Sequence, residues 1–360
     1  MKYELAAQNA RIQYRKKSES SIVNAYYRGD LSEAGTYSVT IAGDLQASTE
    51  YEFRAAIDIK VNGSYTTIYG DWVSFTTTAA SSGIPTGWLE LPAITGSEDY
   101  VGTLYKTAVD AVSGSEVDRN YSFNYSYENY GALWVAYPLR SSDISGNAST
   151  SSWSYYPSSY IPKRYQVDMT GSSYPTMYNA SSYTKGHQIP NADRKSNSVS
   201  NSQTYYVTNQ TPQIGNKFNG SVWGNLETAI RNLTQNTDVV YVVTGAAYKT
   251  VGGNETVKTL TAASSSTNPQ EVPVPNYYWK ALLKVTTNSL GEVTSACTIG
   301  FWFEHKEYES GTSYTTGVCS VDFIEQKTGF DLFANLPGTE SSGIEKDTET
   351  NTNWKTFQDF

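Results

Sequence analysis

Alternating polar and apolar residues divide the first 78 positions into short segments that are typical of β-strands. In one segment, Tyr51, Phe53 and Ala55 alternate with other residues and therefore fall on one face of a strand. Short strands that recur roughly every ten residues indicate an all-β sandwich. The four predicted strands are Ala10–Arg15, Gly35–Ile41, Glu50–Ile59 and Asp71–Thr77.

The pattern changes after residue 78. Residues 79–87 read Ala-Ala-Ser-Ser-Gly-Ile-Pro-Thr-Gly, and such small residues with one proline are typical of a linker. A chain of 360 residues is also long for a single domain. We therefore predict a domain over residues 1–78, a linker over residues 79–87 and a second domain over residues 88–360.

The second domain combines several strands with fewer helices. The near-continuous apolar run Asp238–Tyr248 is typical of a strand that is covered on both faces. Apolar residues at helical spacing predict a helix over Ser221–Asn232, and a shorter helix is predicted over Val321–Lys327, ending at Gly329. The other predicted strands are Arg119–Tyr127, Ala132–Leu139, Tyr277–Thr286 and Thr294–His305.

Composition narrows the class of protein. Aromatic residues make up 14% of the chain and charged residues only 17%, which excludes an intrinsically disordered chain. The net charge of −9 argues against a protein that coats nucleic acid, because such proteins usually present a basic surface. It is compatible with an enzyme that must release a polyanionic product.

Location and redox state follow from weaker signals. No apolar run approaches the roughly 20 residues of a membrane span, and the first residues lack the apolar core of a signal peptide. Either the protein is cytoplasmic or the sequence begins after a trimmed export signal. Composition favours the second, a secreted, cell-surface or periplasmic bacterial protein whose export signal is absent from this sequence. Cys297 and Cys319 lie in strand-like segments, and the sequence leaves open whether they pair or are two buried free thiols.

One short stretch carries most of the candidate chemistry. His187 follows Gly186, which lets another group approach the backbone closely, and its neighbours along the chain include the cations Lys185 and Arg194. A neutral imidazole here could take a proton from water near pH 7. The alternative interpretation is a structural or exposed histidine, which is also how we interpret the other histidine, His305.

The predicted helix that follows carries a second set of polar residues. Glu227 and Arg231 are four residues apart and share a helical face, and Asn219 lies just before the helix. One interpretation is a helix cap followed by a surface ion pair. The other is an amide oxygen of Asn219 that binds a hard divalent cation, because Mg²⁺ keeps several waters and often takes only one or two protein ligands.

Taken together, the motifs and their spacing resemble those of the DNA/RNA non-specific endonucleases, the ββα-metal nucleases. The motif Gly186-His187-Gln-Ile-Pro190 is extended by Ala192-Asp193-Arg194, and Asn209-Gln-Thr-Pro212-Gln213 follows. The resemblance covers most of residues 88–358. Further along the chain, an asparagine, a tryptophan, a glutamate and an arginine have the same spacing as in the family. They are Asn219, Trp223, Glu227 and Arg231.

The resemblance implies an α+β ββα-metal fold with a central, mostly antiparallel sheet. It also implies one Mg²⁺, with Mn²⁺ as a substitute, bound directly by Asn219 and through a water molecule by Glu227. His187 would be the general base, and Asn209 would position either His187 or the water shell of the metal. The products would carry 5′-phosphate and 3′-hydroxyl ends.

The cations of the stretch would act on the substrate. Arg231 and Lys185 would stabilise charge on the phosphate as catalytic and substrate-binding residues. Arg194 is a further predicted phosphate contact, with a solvated surface charge as the alternative. Contacts to backbone phosphates carry no sequence information, so the expected substrates are both DNA and RNA, cleaved with little sequence specificity and bound more weakly at high salt.

One position departs from the family. The Asp-Arg pair that precedes Gly-His in the family is Thr184-Lys185 here. Lysine keeps the positive charge but loses the bidentate fork that arginine offers to a phosphate. We therefore expect reduced activity or an altered pH profile rather than an inactive enzyme.

The first domain resembles a fibronectin type III domain. The resemblance rests on Leu45-Gln-Ala-Ser-Thr-Glu-Tyr51, Tyr69-Gly70 and Trp72-Val-Ser-Phe75, and the domain is short at its N-terminus. The resemblance identifies no binding partner.

Two other functions remain open for the chain: a non-enzymatic surface or adhesion protein with a degenerate nuclease fold, and a phosphodiesterase that acts on small or sugar-linked substrates.

Overall fold

The structure, a computed structural model, describes residues 7–26, 49–61, 64–76, 88–106, 119–169, 182–235, 237, 239–262, 270–288, 293–339 and 342–343. The chain divides into two compact units, Met1–Ile84 and Pro85–Phe360. No helix in the described ranges is long and apolar enough to cross a membrane.

The first unit contains an antiparallel sheet in the order β2-β1-β3-β4, with β5 paired to the beginning of β3. Tyr51 is buried and stacks on Phe75, but Ala55 is exposed and Ala56 is buried, so the predicted apolar face does not extend to Ala55. The strands are β1 (Ala7–Lys16), β2 (Val23–Tyr26), β3 (Glu50–Val61), β4 (Ser64–Tyr69) and β5 (Val73–Thr76).

Another predicted strand, Gly35–Ile41, lies outside the described residues, as does Leu45 of the fibronectin-like motif. A sandwich needs a second sheet packed on the first. The two-sheet architecture and the fibronectin type III-like character of this unit therefore stay predictions.

The second unit is built on a seven-stranded antiparallel sheet in the order β16-β15-β14-β11-β8-β7-β6. Smaller two-stranded sheets pair β9 with β10, β12 with β13, and β17 with β18. The strands are β6 (Tyr100–Tyr105), β7 (Arg119–Ser126), β8 (Gly131–Leu139), β9 (Tyr183–His187), β10 (Gln210–Ile214), β11 (Val240–Ala247), β12 (Thr259–Thr261), β13 (Glu271–Pro273), β14 (Tyr277–Thr287), β15 (Val293–Glu304), β16 (Val318–Cys319), β17 (Gly338–Thr339) and β18 (Ser342–Gly343).

Helices of the second unit pack on this sheet, which makes the unit α+β with antiparallel pairing, as predicted. Every residue of β11 is buried, in agreement with the continuous apolar run seen in the sequence. The helices are α1 (Ser141–Ile144), α2 (Ser198–Gln203), α3 (Gly224–Leu233) and α4 (Val321–Thr328). Short 3₁₀ turns cover Lys163–Tyr165, Asn191–Asp193, Val207–Asn209 and Tyr314–Gly317.

The helix that carries the site residues begins later than predicted. Gly215–Trp223 forms a wide helical segment with a kink at Ser221, whose φ of −127° and ψ of −115° are not helical, so α3 starts at Gly224. Leu226 and Ile230 then pack into the same core cluster as the sheet residues. The end of α4 agrees with prediction, because Gly329 caps it in the left-handed conformation at φ 77°.

The two cysteines are free, so the disulfide alternative is wrong. Cys297 lies on β15, where its Cα faces Lys284 of β14, and Cys319 lies on β16 opposite Gly300. Burial raises the pKa of the Cys319 thiol to about 12. Neither position suits a reactive thiolate.

Candidate active site

The pair of strands β9 and β10 forms the frame of the site. Gly186 lies on β9 opposite Thr211, and a Cβ atom at Gly186 would come within 2.2 Å of the side chain of Gln213. Only glycine therefore leaves room for Gln213 at this point. The side-chain oxygen of Gln213 accepts a hydrogen bond from Nδ2 of Asn219. Glycine, glutamine and asparagine from three separate motifs thus form one connected unit.

That hydrogen bond also fixes how Asn219 presents its amide. Because Nδ2 is held by Gln213, Oδ1 is the atom that remains to bind a ligand, and an amide oxygen is a hard donor suited to Mg²⁺. Across the described ranges, no three His, Cys, Asp or Glu side chains come together as a metal-binding group. The donor set at Asn219 therefore fits a cation that is held mainly by water, and not one held by a dense protein cage.

His187 lies at the end of β9 in an aromatic pocket. Its ring centroid is 4.6 Å from that of Trp153 and 4.8 Å from that of Tyr205, and the last two rings are 5.0 Å apart. Burial lowers the pKa of His187 to about 4, so the imidazole is neutral at pH 7. Its Nε2 atom is enclosed and has no hydrogen-bond partner in the described part of the chain, and Nδ1 is not enclosed in this way.

Asn209 is buried and holds the loop that follows His187. Its Oδ1 accepts from the backbone N–H of Ile189 at 3.0 Å, and its Nδ2 donates to the carbonyl oxygens of Ile189 at 3.0 Å and Thr204 at 2.8 Å. The amide is thus engaged at both ends with the backbone. Of the two predicted roles, positioning His187 through its loop fits this geometry better than holding metal-bound water.

Arg231 and Glu227 both lie on α3, but they do not form the surface ion pair considered above. Arg231 donates from Nη1 to Oδ1 of Asp193 at 3.0 Å and from Nη2 to Thr228 at 2.9 Å. Asp193 is buried, and its other oxygen accepts from the hydroxyl of Tyr137 at 2.9 Å. The carboxylate of Asp193 therefore ties α3 to the loop that leaves His187.

Glu227 lies on the first turn of α3, in a charged environment. Burial raises the pKa of its carboxyl group, and the neighbouring carboxylate of Asp193 acts in the same direction, while Lys280 and Arg231 oppose the rise. Lys280 is fully buried on β14, donates to Thr244 at 2.9 Å and lies 4.5 Å from the ring centroid of Trp223. The site thus contains two carboxylates and two cations in close electrostatic contact.

Arg194 does not lie where a phosphate could reach it. The residue is fully buried, with Nε and Nη2 bonded to the side chain and backbone of Asn120 at 2.6 Å. Its remaining donors bond the carbonyl oxygens of Asp193 and Pro138. Both predictions for Arg194, a substrate contact and a solvated surface charge, are wrong, because its guanidinium is buried and donates to the side chain of Asn120 and to backbone carbonyl oxygens.

Lys185 is half-buried on β9, opposite Pro212 of β10. Burial lowers the pKa of its ammonium group. Thr184, the other residue that departs from the family pattern, lies opposite Gln213. The departure is therefore placed directly on the strand pair that carries His187.

Sequence reasoning assigned no role to Asp193, Lys280 and Trp153. A lysine inside the apolar segment Tyr277–Thr287 was an available signal, because a buried ammonium group requires a partner. Asp193 stood next to a motif that was noted, but its partner Arg231 lies 38 residues further along the chain. Nothing in the serine-rich loop that contains Trp153 pointed to His187.

Comparison with known proteins identifies the relatives of this chain. The model of the family described as DNA/RNA non-specific endonuclease matches residues 101–339. Nuclease 1 of Schizosaccharomyces pombe, a mitochondrial protein, is 27% identical over 187 residues, which are 51% of this chain and 54% of that protein. A nuclease of Nostoc sp. is 28% identical over 231 residues, 64% of this chain and 76% of that protein.

The coverage of these relatives is partial. The chain spans about half the length of the fission yeast relative, at 54%, and about two thirds, at 66%, of a mitochondrial nuclease of Saccharomyces cerevisiae that is 23% identical. A solved EndoG/EndoGI complex matches with a TM-score of 0.48 and 21% identity, over 60% of this chain and 83% of that chain.

Proposed function

The chain belongs to the DNA/RNA non-specific endonuclease family, and on that premise we propose that it is a metal-dependent endonuclease that hydrolyses phosphodiester bonds of both DNA and RNA. The observation that carries the proposal is the combination of a neutral, enclosed imidazole at His187 with an amide oxygen of Asn219 that Gln213 leaves available. Binding would rest on backbone phosphates, so little sequence specificity is expected.

His187 is the proposed general base. Because burial holds its pKa at about 4, the imidazole is unprotonated at neutral pH and its lone pair can accept a proton from the attacking water. Trp153 and Tyr205 restrict the ring and exclude bulk water from its faces. Asn209 holds the backbone of Ile189, two residues later, and thereby limits movement of the histidine.

Asn219 would hold the cation directly through Oδ1, and Glu227 would hold one of its water molecules. When bound, a divalent cation such as Mg²⁺, or Mn²⁺ in its place, supplies charge neutralisation at the phosphate and at the leaving oxygen. Gln213 orients the amide of Asn219 for this purpose. Attack of water with departure of the 3′-oxygen gives 5′-phosphate and 3′-hydroxyl ends.

Arg231 and Lys185 are the proposed cations for the phosphate. Asp193 bonds one nitrogen of the Arg231 guanidinium and so fixes the direction of the group, and Arg231 is partly exposed to solvent. Lys185 contributes a positive charge from the strand that carries His187. Neither residue reads a base, which suits a nuclease without sequence preference.

The test is digestion of supercoiled plasmid and of RNA with and without Mg²⁺. We expect cleavage that requires the metal, is abolished by chelation, and is lost in both His187→Ala and Asn219→Ala. Asn225→Ala is the matched control, because Asn225 is an exposed asparagine on α3. Full activity of His187→Ala, or undiminished cleavage in excess EDTA, would contradict the proposal.

A further inference from the structure

Gln210 begins β10 directly opposite His187, where β9 ends. Directly opposed residues of an antiparallel pair project to the same face, with Cβ atoms about 5 Å apart. A glutamine side chain is long enough to span that gap. The register of the two strands thus puts the side chains of Gln210 and His187 next to each other on one face of the ribbon.

Both side chains have unused hydrogen-bonding capacity. Gln210 is only 1% exposed, and neither its amide oxygen nor its amide nitrogen has a partner in the described part of the chain. The same is true of Nε2 of His187. Buried polar groups without partners are rare in folded proteins, and these two residues lie opposite each other on one ribbon. A bridging water molecule or a small side-chain rotation would let each satisfy the other.

Neighbouring amides are less suitable partners. Gln188 also has a side-chain oxygen without a partner, but as the next residue along the chain it projects to the opposite face of the ribbon from His187. Asn209, which precedes Gln210, uses both ends of its amide on Ile189 and Thr204. Trp153 carries only a donor on its ring and cannot accept from an imidazole N–H. Gln210 therefore has the acceptor, the burial and the position that Nε2 of His187 requires.

We propose that Gln210 is a positioning residue for His187: its amide oxygen accepts the Nε2–H of the imidazole, directly or through one water molecule. A neutral imidazole carries one proton, so placing it on Nε2 leaves the lone pair on Nδ1. Nδ1 is the nitrogen that the protein does not enclose, and it would take the proton from water. This inference rests on the proposed function of His187 as the base.

The chain provides an internal reference for the test. It contains only two histidines, and His305 has the opposite tautomer: its Nε2 accepts from the backbone N–H of Ile214 at 2.8 Å, so its proton lies on Nδ1, which bonds the carbonyl oxygen of Pro275 at 2.8 Å. Long-range ¹H–¹⁵N spectra of the ¹⁵N-histidine-labelled full chain distinguish the two tautomers. We expect an Nε2–H form for His187 and an Nδ1–H form for His305 at pH 7.

Gln210→Met removes the acceptor with little change in volume. We expect His187 to become a mixture of tautomers and kcat on plasmid to fall roughly tenfold or more, because an unheld base loses its productive proton arrangement, while KM stays within about twofold. Gln210→Glu keeps an acceptor oxygen and should restore most of kcat. Gln188→Met removes a neighbouring buried amide and should leave the His187 tautomer unchanged, as should the His305 signals in every variant.

Three results would overturn the inference. The first is an Nδ1–H form of His187 in the wild-type protein, a measurement that needs no variant. The second is an unchanged tautomer in a folded Gln210→Met protein, and the third is unchanged kcat in that protein. Full activity of His187→Ala would instead overturn the proposed function, while the spectra would still decide whether Gln210 holds Nε2.

Discussion

The two histidines of the chain both lie in aromatic pockets but differ in hydrogen bonding. His187 packs against Trp153 and Tyr205, and His305 packs against Phe218 and Tyr278 at 5.1 and 4.9 Å. Burial lowers the pKa of each to about 4. Both nitrogens of His305 bond the backbone, whereas Nε2 of His187 has no partner in the described residues.

This difference separates a structural histidine from a reactive one. Both ring nitrogens of His305 form hydrogen bonds that join Ile214, at the end of β10, to Pro275. His305 thereby anchors the chain just before the segment Gly215–Trp223, which contains Asn219. A depressed pKa alone would not distinguish the two histidines, because burial produces it in both. The histidines are distinguished instead by the unused hydrogen-bonding capacity of His187, on the strand pair that also carries Gln213, the partner of Asn219.

The largest expected effect comes from removing the reactive histidine. His187→Ala should lower kcat on plasmid DNA by roughly 10²- to 10⁴-fold, the usual contribution of a general base. The free energy of unfolding should fall only moderately at pH 7.5, because the change removes the ring contacts with Trp153 and Tyr205 and the proposed bond to Gln210 but no bond of the backbone. Steady-state kinetics in Mg²⁺ and urea unfolding of the same preparation measure both quantities. If the activity is lost only because the variant is unfolded under the assay conditions, His187 is a structural residue and not a catalytic one.

The pH dependence of stability should reveal both histidines. Each has a pKa of about 4 when folded and near 6.5 when unfolded, so the unfolded chain binds more protons between these values. Stability is therefore fully present above pH 6.5 and is lost as the pH falls towards 4. The difference of 2.5 units multiplied by 1.36 kcal/mol gives at most about 3 kcal/mol for each histidine.

The measurement is the free energy of unfolding at pH 7.5 and pH 5 for the wild type and for each histidine variant. The raised pKa of Glu227 acts in the opposite direction, so only differences between variant and wild type are informative. His187→Ala and His305→Leu should each flatten the pH dependence by a similar amount. A variant with the wild-type slope would show that its histidine is not buried in the neutral form.

Removing the structural histidine should mainly affect stability. His305→Leu leaves the backbone N–H of Ile214 and the carbonyl of Pro275 without their partner, which should cost roughly 1–3 kcal/mol at pH 7.5. The folded fraction should keep most of its kcat, because His305 donates nothing to the substrate. Equal loss of kcat in His305→Leu and His187→Ala would remove the distinction between the two sites.

The sequence alone predicted local features correctly but did not predict contacts between residues that are far apart along the chain. Apolar continuity predicted β11, glycine predicted the end of α4, and motif spacing selected His187 and Asn219 as candidates. Arg194 was misjudged because its partners Asn120 and Pro138 lie 74 and 56 positions away, on other strands. A charged residue in a polar stretch gives no local signal of whether the fold will enclose it.

The smallest expected effect concerns the dipeptide that departs from the family. Lys185→Arg restores a guanidinium that can hold a phosphate through two nitrogens, so KM for plasmid should fall by about twofold to fivefold, which is less than 1 kcal/mol. The gain is limited because Lys185 already carries the charge from the same position on β9, opposite Pro212. Kinetics at low and high salt separate geometry from charge: an improvement that disappears in high salt would be electrostatic only. A rise in KM would mean that the half-buried surroundings of Lys185 do not admit the larger group, and Arg231 would then be the main phosphate contact.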